Sequence, residues 1–97
     1  MAAMERHQSG DLVGAEPFYR DVLKQRPRHG DALRLLGGLL LQKKQEREAE
    51  PILRMALDAQ PRNPEILNNL GITLRNLGDV EAAIKCFQQA VDAQPSL

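Results

Sequence analysis

The chain has 97 residues, enough for one domain with a small core, and its 42% hydrophobic and 27% charged content is that of a folded globular protein. Thirteen lysines and arginines balance thirteen aspartates and glutamates, so the electrostatic footprint of a nucleic-acid binder or a polybasic membrane binder is missing. A single cysteine, Cys86, excludes an internal disulfide framework and a multi-cysteine metal centre, and three aromatics (Phe18, Tyr19, Phe87) are too few to stack bases.

Leucine and alanine dominate the composition and β-branched residues are sparse, so the expected elements are helices. The segment Met1–His7 becomes charged before a signal-peptide stretch develops. The longest uncharged apolar run, Leu35–Leu41, is far shorter than the ~20 residues of a membrane span. A cytoplasmic location without membrane insertion is the expectation.

Residues 1–29 read as an incomplete unit. They begin with the end of a helix that has Ala3 on its packing side. A Gly10-Asp11 turn follows, then a full helix carrying Ala15 and Tyr19. Residues 30–63 and 64–97 read as two complete helix–turn–helix units, and all three belong to a single domain. In residues 30–63, Leu33, Leu36, Gly37 and Leu40 form a stripe at i, i+3, i+4 and i+7, and Ala49, Leu53 and Ala56 form one on the next helix. Residues 64–97 repeat both stripes as Leu67, Leu70, Gly71, Leu74 and Ala83, Phe87, Ala90.

The period is 34 residues: it relates Pro27, Pro61 and Pro95, and it returns Asp58-Ala59-Gln60-Pro61 as Asp92-Ala93-Gln94-Pro95. Punctuation follows the same period. Asn63-Pro64-Glu65 supplies an N-cap, a first-turn proline and an acid at the positive end of the helix dipole. Gly78-Asp79 supplies a left-handed residue to end one helix and a cap to start another. Lys44-Gln45 replaces that pair in residues 30–63, which leaves the helix boundary there open. Gly37 and Gly71 are expected to face Ala49 and Ala83, with Tyr19, Leu53 and Phe87 filling the volume beside them. Pro17 and Pro51 fall inside predicted helices at one phase, which reads as a tolerated bend.

The pattern Leu33-x-x-Leu36-Gly37-x-x-Leu40, then Ala49-x-x-x-Leu53-x-x-Ala56, then Pro61, together with its copy ending in Pro95, resembles the tetratricopeptide repeat. The resemblance implies an all-α right-handed solenoid in which the first helix of each unit lines a concave groove. It also implies a protein–protein interaction module without catalysis of its own, holding a peptide segment or partner protein. Helical projection assigns Asp31, Arg34, Leu35, Gly38, Leu41 and Gln42 to that groove, followed by Glu65, Asn68, Asn69, Ile72, Arg75 and Asn76. The contact residues expected are Arg34, Leu35, Leu41, Asn68, Asn69, Ile72, Arg75 and Asn76.

Asn69 both donates and accepts hydrogen bonds, which suits a peptide backbone. In O-linked N-acetylglucosamine transferase type arrays an asparagine at this phase forms a ladder, broken here by Leu35. A carboxylate clamp of the kind the family also uses is not expected, because Gly38 stands where an asparagine is needed. Cys86 aligns with Phe18 and Ile52 and reads as a small hydrophobe. His7 and His29 lack a partner at ligand spacing, so neither a metal nor a cofactor is expected. The open alternatives are a recruiting segment of a larger glycosyltransferase or sulfotransferase type enzyme, and a homo-oligomeric scaffold assembled through under-covered ends around Phe87, Val91 and Met1–Met4.

Overall fold

A computed structural model describes residues 12–94. Ala3, His7, the Gly10-Asp11 turn, the Met1–Met4 segment, Pro95 and Leu97 lie outside the described residues. Among the described residues five helices follow in order: α1 (Leu12–Gln25), α2 (Gly30–Gln42), α3 (Glu46–Ala59), α4 (Pro64–Asn76) and α5 (Val80–Ala93). Among the described residues there is no strand, and no helix is long and apolar enough to cross a membrane. Neighbours in sequence are neighbours in space, and α2 also touches α4. The result is an all-α solenoid of stacked hairpins, α2–α3 and α4–α5, with α1 packed at one side.

The caps explain where the helices start. Asn63 Oδ1 accepts from the backbone N–H of Glu65 at 2.9 Å and of Ile66 at 3.3 Å, with Pro64 in the first turn. One period earlier, His29 Nδ1 accepts from Ala32 N–H at 3.1 Å, so this histidine is a helix cap. Asp79 Oδ1 accepts from Ala82 N–H at 3.3 Å, as its sequence position predicts.

Both hairpin turns close with one hydrogen-bond pattern. Gln45 N–H donates to Leu40 C=O at 2.9 Å and Lys44 N–H to Leu41 C=O at 3.0 Å; Asp79 N–H donates to Leu74 C=O at 2.8 Å and Gly78 N–H to Arg75 C=O at 3.0 Å. This pair of bonds satisfies two helix-end carbonyls and requires a left-handed residue. Gly78 supplies it at φ 93° and Lys44 at φ 60°. The undecided boundary is thus the same turn, made with a residue that resists it. Gln45 gives α3 no side-chain cap.

The buried stripes are wider than the period alone indicates. Ala32, Leu39, Ile66 and Thr73 are buried along with the expected leucines, because α2 and α4 each pack on more than one neighbour. Thr73 is fully buried, and its hydroxyl donates to Asn69 C=O at 2.8 Å, which removes the cost of hiding it.

The glycines also face different partners from those expected. A Cβ on Gly37 would lie 2.5 Å from Leu53 Cδ2, and one on Gly71 would lie 2.6 Å from Phe87 Cε1. Each glycine is a socket for the large residue of the following helix; the alanine lies one turn away. Pro17 and Pro51 sit on exposed positions while α1 and α3 continue through them. Their missing N–H therefore frees a carbonyl on the solvent side, where water can take it up.

Candidate partner-binding groove

The groove is the surface shared by α2 and α4. At its upper end Arg34 joins the two helices: Nη1 lies 3.0 Å from Glu65 Oε2, and Nη2 lies 3.6 Å from Asp31 Oδ1. Asp31 Oδ1 in turn accepts from Gln60 Nε2 at 3.1 Å, and Gln60 Oε1 accepts from Asn63 Nδ2 at 2.9 Å. The Gln60 hydrogen bond, aided by the charge of Arg34, holds the Asp31 carboxyl below its ordinary value against the opposing effect of burial. Arg34 is therefore a member of a clasp that ties one hairpin to the next, with its side chain only 20% exposed.

Further along, Gly38 leaves α2 bare where Asn69 leans in, a Cβ there being 3.4 Å from Asn69 Nδ2. Asn69 is half-buried on this account, whereas its neighbour Asn68 is exposed. Adjacent positions on a helix point about 100° apart, and the two asparagines serve different surfaces. Asn69 faces back toward α2. Asn68 lines a crevice between α4 and α5 together with Asn63, Pro64, Glu65, Phe87, Ala90, Val91 and Gln94, with a volume of about 820 Å³.

The rest of the expected set divides by burial. Leu35 is half-buried and packs on the core, so it supports the groove floor. Leu41 and Ile72 are half-buried. Arg75 and Asn76 are exposed at the end of α4, and among the described residues Arg75 enters no salt bridge. The α2–α4 surface thus offers half-buried aliphatic groups, a positioned amide and an exposed guanidinium. Such groups can take up an apolar side chain, a peptide group and an anion.

Sequence reasoning missed the clasp formed by Asp31, Gln60 and Asn63, as well as the crevice residues Pro64, Ala90 and Gln94. A signal was present for two of these: Ala90 and Gln94 lie 34 residues after Ala56, which packs with Ile66, and Gln60, which bonds Asn63. Elsewhere, perturbed groups have structural causes. Burial pushes the Cys86 thiol and the Tyr19 hydroxyl up. Glu16 is held low by hydrogen bonds from Lys43 Nζ at 2.7 Å and Arg20 Nε at 2.9 Å. No group of three metal-ligating side chains occurs among the described residues.

Known families and structures extend this geometry. One family model described as a tetratricopeptide repeat matches residues 6–65, and another of the same description matches residues 64–97. No curated protein matches the chain significantly. Among solved structures, MamA from Desulfovibrio magneticus RS-1 is 31% identical with a TM-score of 0.89, over 96% of this chain and 52% of that one. An O-GlcNAc transferase mutant from Thermobaculum terrenum is 32% identical with a TM-score of 0.91, over 97% of this chain and 18% of that one. YrrB, described as a TPR protein with an unusual peptide-binding site, is 18% identical with a TM-score of 0.86, over 97% of this chain and 48% of that one. At that identity YrrB shares the fold alone. The chain spans about half the length of the MamA and YrrB structures it matches.

Proposed function

The chain belongs to the tetratricopeptide repeat family, whose members act as protein-interaction modules, and from this premise we propose that it holds a peptide segment of a partner protein along the α2–α4 groove. Support comes from one arrangement: Leu41, Asn69 and Ile72 half-buried on the two groove helices, with Arg75 exposed beside them. An apolar side chain of the partner lies against Leu41 and Ile72, Asn69 pairs with its backbone, and Arg75 receives an acidic group. Arg34 contributes by keeping the two helices in register, Asn76 forms the rim, and Asn68 lies outside the contact on the α4–α5 crevice. In this proposal the chain is itself non-catalytic, needs no cofactor or metal, works in the cytoplasm and divides at residues 30 and 64.

The test is titration of the partner, or of a peptide derived from it, against the chain and its Asn69→Ala plus Arg75→Ala variant. The expected result is a loss of affinity on the order of tenfold or more, because both groups would be removed from a desolvated contact. Equal affinity would move the binding surface elsewhere.

Two further readings have their own observations. Similarity to part of the Thermobaculum terrenum O-GlcNAc transferase mutant favours a recruiting segment of a larger enzyme. Sequencing the transcript past residue 97 decides that. Exposed apolar side chains on α1 and α5 favour self-association, for which a solution mass is the test.

A further inference from the structure

Glycine inside a helix costs stability, because it gives up the most backbone freedom on folding and packs no side chain in return. Gly37 and Gly71 offset that cost as sockets for Leu53 and Phe87. Gly38, in the middle of α2, does not. Among the described residues, a Cβ placed on it would meet Asn69 Nδ2 and nothing else, at the ordinary contact distance of 3.4 Å. The fold has room for a side chain at position 38 and puts none there.

The surroundings of that space follow from how α2 and α4 pair. Arg34 meets Glu65 and Gly38 meets Asn69, and the two members of each pair are 31 residues apart. One helical turn further along, the same offset matches Leu41 with Ile72, both half-buried. Successive rungs across the groove are thus an ion pair, a gap beside an amide, and an aliphatic pair. The floor of the gap is the α2 backbone, whose amides and carbonyls are bonded within the helix and offer nothing to a polar group. Asn69, at the wall, supplies a donor and an acceptor.

Charge lies to one side of the gap. Arg34 faces the carboxylates of Asp31 and Glu65, whereas Arg75 is exposed and forms no salt bridge among the described residues. Asn69 and Arg75 stand about 9 Å apart along the α4 axis. An extended peptide covers that distance in about three residues.

We propose that Gly38 is a specificity-determining residue of the groove. The notch it leaves takes a bulky aliphatic or aromatic side chain of an extended partner segment, which carries an aspartate or glutamate about three residues away for Arg75. The inference rests on the groove reading above and names the kind of segment the groove takes. Each point of contact is complementary. An apolar side chain forfeits no hydrogen bond against the α2 backbone, where a polar one would. Leu41 and Ile72 border it on the next rung, and the carboxylate meets a cation that the chain leaves unpaired.

The experiment selects peptides from a displayed random library on the 97-residue chain and titrates one selected synthetic peptide against variants. Selected sequences should share an apolar residue and an acid about three positions apart. Gly38→Ala should raise the melting temperature, since alanine is the better helix former and its methyl meets only the Asn69 amide, and yet weaken the peptide several-fold. Gly38→Leu fills the notch and should weaken it on the order of tenfold or more. Replacing the peptide's apolar residue by alanine should abolish the difference between wild type and Gly38→Leu, which a mere displacement of Asn69 would not do. A lower melting temperature for Gly38→Ala would reveal a structural use of the glycine and overturn the proposal. Unchanged affinity for both Gly38 variants, with loss confined to Asn69→Ala plus Arg75→Ala, would overturn the notch and leave the groove reading standing. No selected peptide, or peptides indifferent to every variant, would overturn both.

Discussion

The hairpins α2–α3 and α4–α5 share one backbone plan and reach it with different residues. Gly37 receives Leu53 where Gly71 receives Phe87. Lys44 bends where Gly78 bends, and Gln45 stands where Asp79 caps. The α4–α5 hairpin follows its local preferences almost throughout. The α2–α3 hairpin overrides some of them, and it can do so because it is packed on both sides, with Leu36, Leu39, Leu40, Ala49 and Leu53 at 0% exposure. Tertiary burial there carries a turn that propensity alone resists.

The largest effect should come from the glycine sockets. Leu53 is fully buried and has nowhere to go, whereas Phe87 is half-buried and borders the open crevice. Gly37→Ala should therefore lower stability by about 2–3 kcal/mol and Gly71→Ala by about 1 kcal/mol. Urea denaturation of the two variants checks this. Equal losses would show that room to move is not what distinguishes the hairpins. Gly71→Leu should exceed Gly71→Ala, since the added bulk also meets the Phe87 ring.

The turns should give the next effect, and with opposite signs. Lys44→Gly relieves a left-handed side-chain residue and should stabilise by about 1 kcal/mol; Gly78→Lys imposes one and should destabilise by about the same amount. Gln45→Asp should add about 0.5–1 kcal/mol by giving α3 the cap that Asp79 gives α5. Thermal melting of these three variants would equalise the hairpins or exchange their roles. If Lys44→Gly were neutral, the strain assigned to that turn would be wrong.

The smallest effect is electrostatic. The first joint holds Glu16 between Lys43 and Arg20, and one period later the corresponding residues are Glu50, Leu77 and Arg54. Glu16 has a carboxyl held low in the folded chain, so its contribution is present above its unfolded value and is lost as pH falls through the folded one. Asp31 acts with the same sign. Wild type should therefore exceed Glu16→Gln at neutral pH by less than about 1 kcal/mol, because these groups are partly exposed. The gap should close as pH drops below about 4. Denaturation midpoints at neutral and acidic pH measure it, and a gap that widened in acid would refute the assignment.

Much of this was legible beforehand, for physical reasons that differ by feature. A cap or a left-handed glycine acts within a few residues of itself, so Asn63-Pro64-Glu65 and Gly78-Asp79 announced the helix ends that the structure shows. Apolar spacing likewise revealed the helices, because one face of each must be buried. Arg34 was read as a groove residue from its phase alone. Its engagement with Glu65 depends on how α2 and α4 lie beside each other, and no single-helix projection contains that. Leu39 and Thr73 escaped the stripe for a related reason: one helical face covers one neighbour, and α2 and α4 each have several.

By itself, then, the sequence determined the 34-residue period, the helical class and the family, since these follow from residue type at fixed spacing along one chain. Tertiary structure alone decided that Lys44 would take a left-handed conformation, that Leu53 and Phe87 would fill the glycine sockets, and that Asn68 and Asn69 would serve different surfaces. Each of these outcomes is set by which helix lies against which. That choice belongs to the burial of whole helix faces, a free energy shared among residues far apart in the chain.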